Sequence, residues 1–267
     1  MKPDNPPEAV TYQSYLQLEQ LLSLQVPRSQ GPEHDELLFI VIHQVYELWF
    51  KELLHELDHV AVLFRTDKPH RAQHTLKRIL TILKVLVAQL DILETMTPLE
   101  FLSFRARLEA ASGFQSNQFR QIEFLLGAKN DAAIARFPEG SAGRRELERR
   151  FAEPTVWDAF LHYLSREGYA VPASQLSRDY TKPVTPSPEI QQILLDVYRQ
   201  DVKSAEICER LVDLDEGLAE WRYRHVRMVE RTIGAKPGTG GSRGAAYLQS
   251  TTGKNLFQDL WEIRSRL

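Results

Sequence analysis

Three histidine settings in this 267-residue chain could carry chemistry. The first is "HELDH", His55 to His59, whose spacing of four puts two imidazoles on one helix face, as a zinc peptidase requires. A helical wheel argues against that chemistry. Leu53, Leu57, Val60 and Phe64 form the apolar stripe, while His55 and His59 fall roughly opposite it, near Glu52 and Glu56. The extended metzincin pattern also fails, because Val62 stands where glycine is needed and Arg65 where a third histidine is needed. A solvated helix face fits these residues better.

The second setting is His43, inside "ELLFIVIHQVYELWF" (36–50), the most apolar stretch of the chain. Burying an imidazole there costs free energy unless something pairs with it. Phe39, Ile42, Tyr46, Trp49, Phe50 and Leu53 share one stripe, and His43 sits on its flank, one turn after Phe39. Two readings stay open: a core histidine bonded to a backbone carbonyl, or a polar point on the wall of an aromatic-lined pocket that orients a flat apolar ligand. The third setting is His225, with Leu211, Leu214, Leu218, Trp221, Met228, Val229 and Thr232 within about a quarter turn of it on the wheel. With no second ligand nearby it cannot build a zinc site. A haem iron needs only one axial protein bond and an apolar slot, so a haem ligand is one reading and a satisfied core histidine the other.

The elements that hold these residues read as helices almost throughout. No β-branched run of alternating polarity and no Asn-Gly or Asp-Gly hairpin turn interrupts the pattern. One helix is predicted over about 36–64, which at 1.5 Å per residue is about 42 Å long. "TPLE" predicts a helix start, with Thr97 as cap, Pro98 at the first helical position and Glu100 three residues after the cap. "VPASQLSRDYTKPVTPSP" (171–188) is a longer connection without a domain boundary, since neither half shows a fold signature of its own. Six of the 13 glycines lie between 234 and 253, where no Gly-Lys-Ser/Thr completes a Walker loop, so composition alone reads that segment as a linker. The expectation is an all-α fold: a single, mostly helical domain over residues 1–267.

Composition narrows the function. With 33 basic and 36 acidic residues well mixed and a net charge of −3, a nucleic-acid partner is not expected. The single cysteine, Cys208, rules out an intrachain disulfide and a Cys-rich zinc site. "MKPDNPPEAV" lacks the apolar core of a signal peptide, and no run approaches 18 apolar residues. A cytoplasmic protein with no membrane partner is the simplest expectation.

Six stretches carry a specific resemblance: "TYQSYLQLEQLLSLQ" (11–25), "HDELLFIVIHQVYELWFKELLHELD" (34–58), "FLSFRARL" (101–108), "SGFQSNQFRQIEFLLGAKN" (112–130), "EWRYRHVRMVERTIGAKPGTGGSRG" (220–244) and "YLQSTT" (247–252). In family order and spanning nearly the whole chain, they resemble the tryptophan 2,3-dioxygenases, haem enzymes that open the indole ring of L-tryptophan. The resemblance implies long helices around a pocket for haem b, active with ferrous iron, and O2 as co-substrate. It implies His225 as the axial ligand to the haem iron and His43 as the histidine facing the indole N–H. Phe39, Phe101 and Leu108 would line the indole pocket, Arg105 would hold the substrate carboxylate, and Ser112 would lie on the distal side. Thr239 would contact the ammonium and carboxylate of the substrate, which makes 234–253 a substrate lid. Tyr12 and Tyr15, in an N-terminal arm spanning 1–30, would reach the site of a neighbouring subunit in a homotetramer. HELDH becomes accidental.

Two departures from the family pattern stand out: Arg243 in "GGSRG", where serine is more usual, and a short arm before Tyr12. The implied reaction places both atoms of O2 across the indole C2–C3 bond to give N-formylkynurenine, the first step of the kynurenine pathway. Two alternatives remain, a related haem monooxygenase acting on a substituted indole or tryptophan, and a non-catalytic helical assembly protein.

Overall fold

The computed structural model describes residues 9–109, 111–238, 248–249 and 252–267. Among them there is no strand. The helices are α1 (Tyr12–Leu16), α2 (Leu18–Leu22), α3 (His34–Arg65), α4 (Pro69–Leu93), α5 (Pro98–Arg105) and α6 (Asn117–Leu125). They continue with α7 (Asp131–Ile134), α8 (Ala142–Ala152), α9 (Val156–Arg166), α10 (Ala173–Leu176), α11 (Pro188–Gln200) and α12 (Val202–Ile233), and a short helix, Gln258–Glu262, lies near the C-terminus.

The long helix predicted over 36–64 runs from His34 to Arg65. Asp35 and Glu36 lie in its first turn and Arg65 in its last, each placed to complement the helix dipole. The predicted start at "TPLE" forms a full capping box: the Thr97 N–H donates to Glu100 Oε2 at 2.6 Å, and the Glu100 N–H donates to Thr97 Oγ1. Thr155 and Asp158 cap α9 in the same reciprocal way.

α4 packs along both α3 and α12, while α6 and α9 cover other faces of α3 and α11 covers α12. The centre is closed by Val60, Phe64, Leu76, Ile79, Phe160 and Leu211, all fully buried. α4 and α12 meet closely at Gly217, where an added Cβ would stand 3.2 Å from Leu83 Cδ1. The 171–188 connection is tied down rather than loose, because Arg178 forks onto Asp158 of α9 with bonds of 2.6 and 2.7 Å.

One sequence expectation needs correcting. Glu56 was placed with His55 near the solvated side of α3, yet it is buried, and Arg78 of α4 reaches it at 2.5 Å. A carboxylate with an arginine on the next helix can occupy a position that the wheel alone gives to solvent.

The arm differs from the body. α1 and α2 bury no residue at all. Their chain is anchored where it meets α3 by Glu36, whose carboxylate accepts the Arg28 N–H at 2.6 Å, the Ser29 N–H at 3.0 Å and the Ser29 hydroxyl. Burial alone would raise the pKa of this carboxyl, but the hydrogen bonds from Ser29 and Arg28 prevail and lower it. No described helix is long and apolar enough to cross a membrane.

Candidate active site

A cavity of about 250 Å³ opens between the first half of α3 and the second half of α12. Phe39, His43, Tyr46, Glu47 and Phe50 line it from α3, and Trp221, Arg222, His225, Met228 and Val229 from α12. Leu90, Leu93 and Met96 close the α4 side, Phe101 and Arg105 come from α5, and Ser112, Phe119, Arg120 and Glu123 come from the turn before α6 and from α6 itself. The walls are predominantly apolar, with polar groups at a few points, as in most small-molecule sites.

His43 meets part of each reading left open by the sequence: it bonds a backbone carbonyl, yet it borders the cavity instead of lying in closed core. Its Nδ1 lies 2.7 Å from the Phe39 carbonyl oxygen, one turn earlier. A carbonyl oxygen can only accept, so Nδ1 carries the proton and the Nε2 lone pair remains available. Burial lowers the His43 pKa, only partly opposed by the Phe39 carbonyl and by Glu47, which keeps the ring neutral at neutral pH. Its ring opens onto the cavity beside Phe39, 4.1 Å away between ring centres. Phe101 lies 5.7 Å beyond Phe39 in the same aromatic wall.

His225 faces the same cavity from α12. Burial, with a further push from His43, takes its pKa down to about 4. It is therefore a neutral imidazole at neutral pH, the form that binds a metal. Trp221, one turn earlier, stacks on it with an interplanar angle of 5°.

A cationic cluster that the sequence reading missed closes one wall. Glu123 sits between Arg120, an ion-pair partner three residues earlier on α6, and Arg222 of α12 at 3.0 Å. All three side chains are largely buried, and one carboxylate balances only one of the two guanidinium charges. Arg120 Nε is buried without a partner. Arg105 has a buried, unpartnered Nε as well, and its Nη2 donates to the Pro237 carbonyl at 2.5 Å. That bond brings the chain leaving α12 to the mouth of the cavity, where Gly238 and Leu248 also contribute to the wall.

Of the residues singled out by sequence, Phe39, His43, Phe101, Arg105, Ser112 and His225 converge on this cavity. Leu108 is half-buried against the core rather than in the cavity wall. Tyr12 and Tyr15 are 76% and 77% exposed and lie outside the cavity of their own chain. Thr239 and Arg243 lie outside the described residues. Arg120, Glu123, Arg222 and Trp221 complete the site. Among them only the apolar setting of Trp221 could be read in advance, since the pairing of α6 with α12 is long-range.

The donor set suits a haem. Among the described residues no three or more His, Cys, Asp or Glu side chains gather to hold a bare metal ion. One neutral imidazole in an apolar slot, with surplus guanidinium at one wall and a buried Nε there lacking a partner, fits instead a flat apolar group that takes one axial nitrogen and bears carboxylates.

The tryptophan 2,3-dioxygenase family model matches residues 4–139 and 189–267. Tryptophan 2,3-dioxygenase of Herpetosiphon aurantiacus is 60% identical over 260 residues, covering 97% of this chain and 99% of the relative. The enzymes of that name from Anaeromyxobacter sp. (strain K) and Caulobacter vibrioides are 54% and 43% identical, each covering 97% of this chain and 97% and 98% of their own length.

Proposed function

This chain belongs to the tryptophan 2,3-dioxygenase family, and from that premise we propose that the cavity between α3 and α12 would hold haem b through His225 and admit L-tryptophan beside His43. The chain is a tryptophan-oxidising enzyme, an oxidoreductase, and the family implies haem and O2. The observation that carries the site assignment is the pairing of two neutral histidines, differently held, on opposite helices of one apolar cavity.

His225 would bind the haem iron, and Arg120 and Arg222 would receive carboxylates of the bound group. When bound, ferrous haem supplies the activation of O2. The remaining work belongs to this chain's own residues. His43 Nε2, left as an acceptor by the Nδ1–H bond to Phe39, takes the indole N–H and fixes the ring. Phe39 and Phe101 flank that ring and keep water from it. The Arg105 guanidinium meets the substrate carboxylate, and the Pro237 carbonyl it now holds connects that event to the segment that follows α12. The 234–253 segment acts as the lid, with Thr239 on the substrate's charged groups and Ser112 on the distal side.

The arm's exposed apolar residues support an interface with a neighbouring subunit, which we place in a homotetramer. Val10, Tyr12, Tyr15, Leu22, Leu24 and Val26 are all exposed, a density of apolar surface that marks an interaction site. Tyr12 and Tyr15 would then complete a neighbour's cavity.

The test is turnover under isotopically labelled O2. Reduced, haem-loaded protein with L-tryptophan should yield N-formylkynurenine carrying two labelled oxygen atoms. Incorporation of a single labelled atom would overturn the dioxygenase reading in favour of monooxygenation.

A further inference from the structure

We infer that Trp221 is the positioning residue for the His225 imidazole: its indole forms a rigid plate that sets the plane in which that ring is presented. This rests on the reading of His225 as the haem ligand.

The two histidines of the cavity are oriented by different means. His43 is pinned by a hydrogen bond from Nδ1 to the Phe39 carbonyl. No protein group among the described residues hydrogen-bonds the His225 ring; its packed neighbour is Trp221, stacked nearly parallel to it, with ring centres 5.4 Å apart. Metal-binding histidines are usually oriented by a hydrogen bond to the second ring nitrogen. Here an aromatic face takes that place.

The plate is itself immobilised from two other helices. Phe119 of α6 lies 5.0 Å from the Trp221 ring, and Phe50 of α3 meets it edge-on at 6.1 Å and 89°. Tyr46 of α3 stands 6.2 Å away, and its hydroxyl donates to the Leu86 carbonyl of α4 at 2.7 Å, which fixes the tyrosine in turn. Trp221 is 8% exposed, and its indole N–H interacts with the Tyr46 hydroxyl without a well-formed hydrogen bond. With that contact weak, ring packing is what chiefly holds this side chain. Helices α3, α4 and α6 thus converge through one indole on the imidazole of α12.

Two measurements test this, one needing no cofactor. In the apoprotein, the His225 ring protons should resonate upfield under the ring current of Trp221. Trp221→Phe should retain part of that shift and Trp221→Leu should lose it. In the ferrous haem protein, the iron–histidine stretching band should be single and narrow in wild type and in Trp221→Phe. It should shift and broaden in Trp221→Leu. His225 proton shifts unmoved by Trp221→Leu, or an unchanged stretching band in that variant, would overturn the inference. If wild type binds haem without any iron–histidine band, the ligand reading fails instead, and the apoprotein shifts still decide whether Trp221 orients the ring.

Discussion

The two halves of α3 and of α12 differ sharply although each helix carries one continuous apolar stripe. Leu53, Leu57, Val60 and Phe64 of α3, with Ile207, Leu211 and Leu214 of α12, sit in closed core. Phe39, His43, Trp221 and His225 face a cavity. Their polar atoms differ in degree as well, although Glu56 Oε2 in the closed half also lacks a partner. Around the closed half, Tyr163 and Ser204 share a hydrogen bond at 3.1 Å, and Lys129 Nζ donates to three backbone carbonyls at the end of α8. Of the six buried polar side-chain atoms without a well-formed hydrogen bond among the described residues, Arg105 Nε, Arg120 Nε and Trp221 Nε1 belong to the cavity wall. A folded chain rarely leaves such atoms unmatched without a reason, and for Arg105 and Arg120 the proposed reason is an anionic ligand.

Truncations should sharpen that contrast. Phe64→Ala, in closed core, should cost about 3–5 kcal/mol in chemical denaturation of the apoprotein. Phe101→Ala enlarges a space that already exists and should cost less than about 2 kcal/mol, while weakening indole binding. Equal losses would mean that the cavity wall is structural core.

The open half should contribute its own pH dependence through His225. An unfolded histidine titrates near 6.5, whereas the folded His225 resists its proton down to about 4. Between those values the unfolded chain binds more protons, so apoprotein stability should fall as pH falls from about 6.5 to about 4, by roughly 2–3 kcal/mol, with no contribution above 6.5. His225→Phe should flatten that slope in a denaturation series across pH.

Arg105→Ala should weaken tryptophan about 10- to 100-fold in equilibrium binding, the worth of a charge-assisted bond, and leave indole analogues without a carboxylate nearly unaffected. Equal losses for both would make the Arg105–Pro237 contact its main role. The smallest effect on stability is expected at the arm: Tyr15→Ala should change unfolding by no more than about 0.5 kcal/mol, yet reduce turnover of the assembled protein.

Much of this was legible in the sequence. The α3 limits were predicted within two residues, because the apolar period runs unbroken and polar residues flank it. The Thr97–Glu100 cap follows from spacing alone. His225 was recognisable as an imidazole at the centre of an apolar stripe, though its role needed the resemblance. The illegible part is long-range pairing. Glu56 reads as solvated until Arg78 arrives from α4, and no local spacing shows that Arg222 of α12 joins Arg120 and Glu123 of α6. The Trp221 stack lies within one helix turn, but the rings that hold it come from α3 and α6.

The most direct test of the site is to exchange each histidine for alanine and compare haem stoichiometry and absorption spectrum. His225→Ala should lose stoichiometric haem or show a grossly altered iron spectrum, while His43→Ala should keep its haem and lose affinity for tryptophan. An unchanged spectrum in His225→Ala, with haem loss in His43→Ala, would reverse the assignment of the two faces.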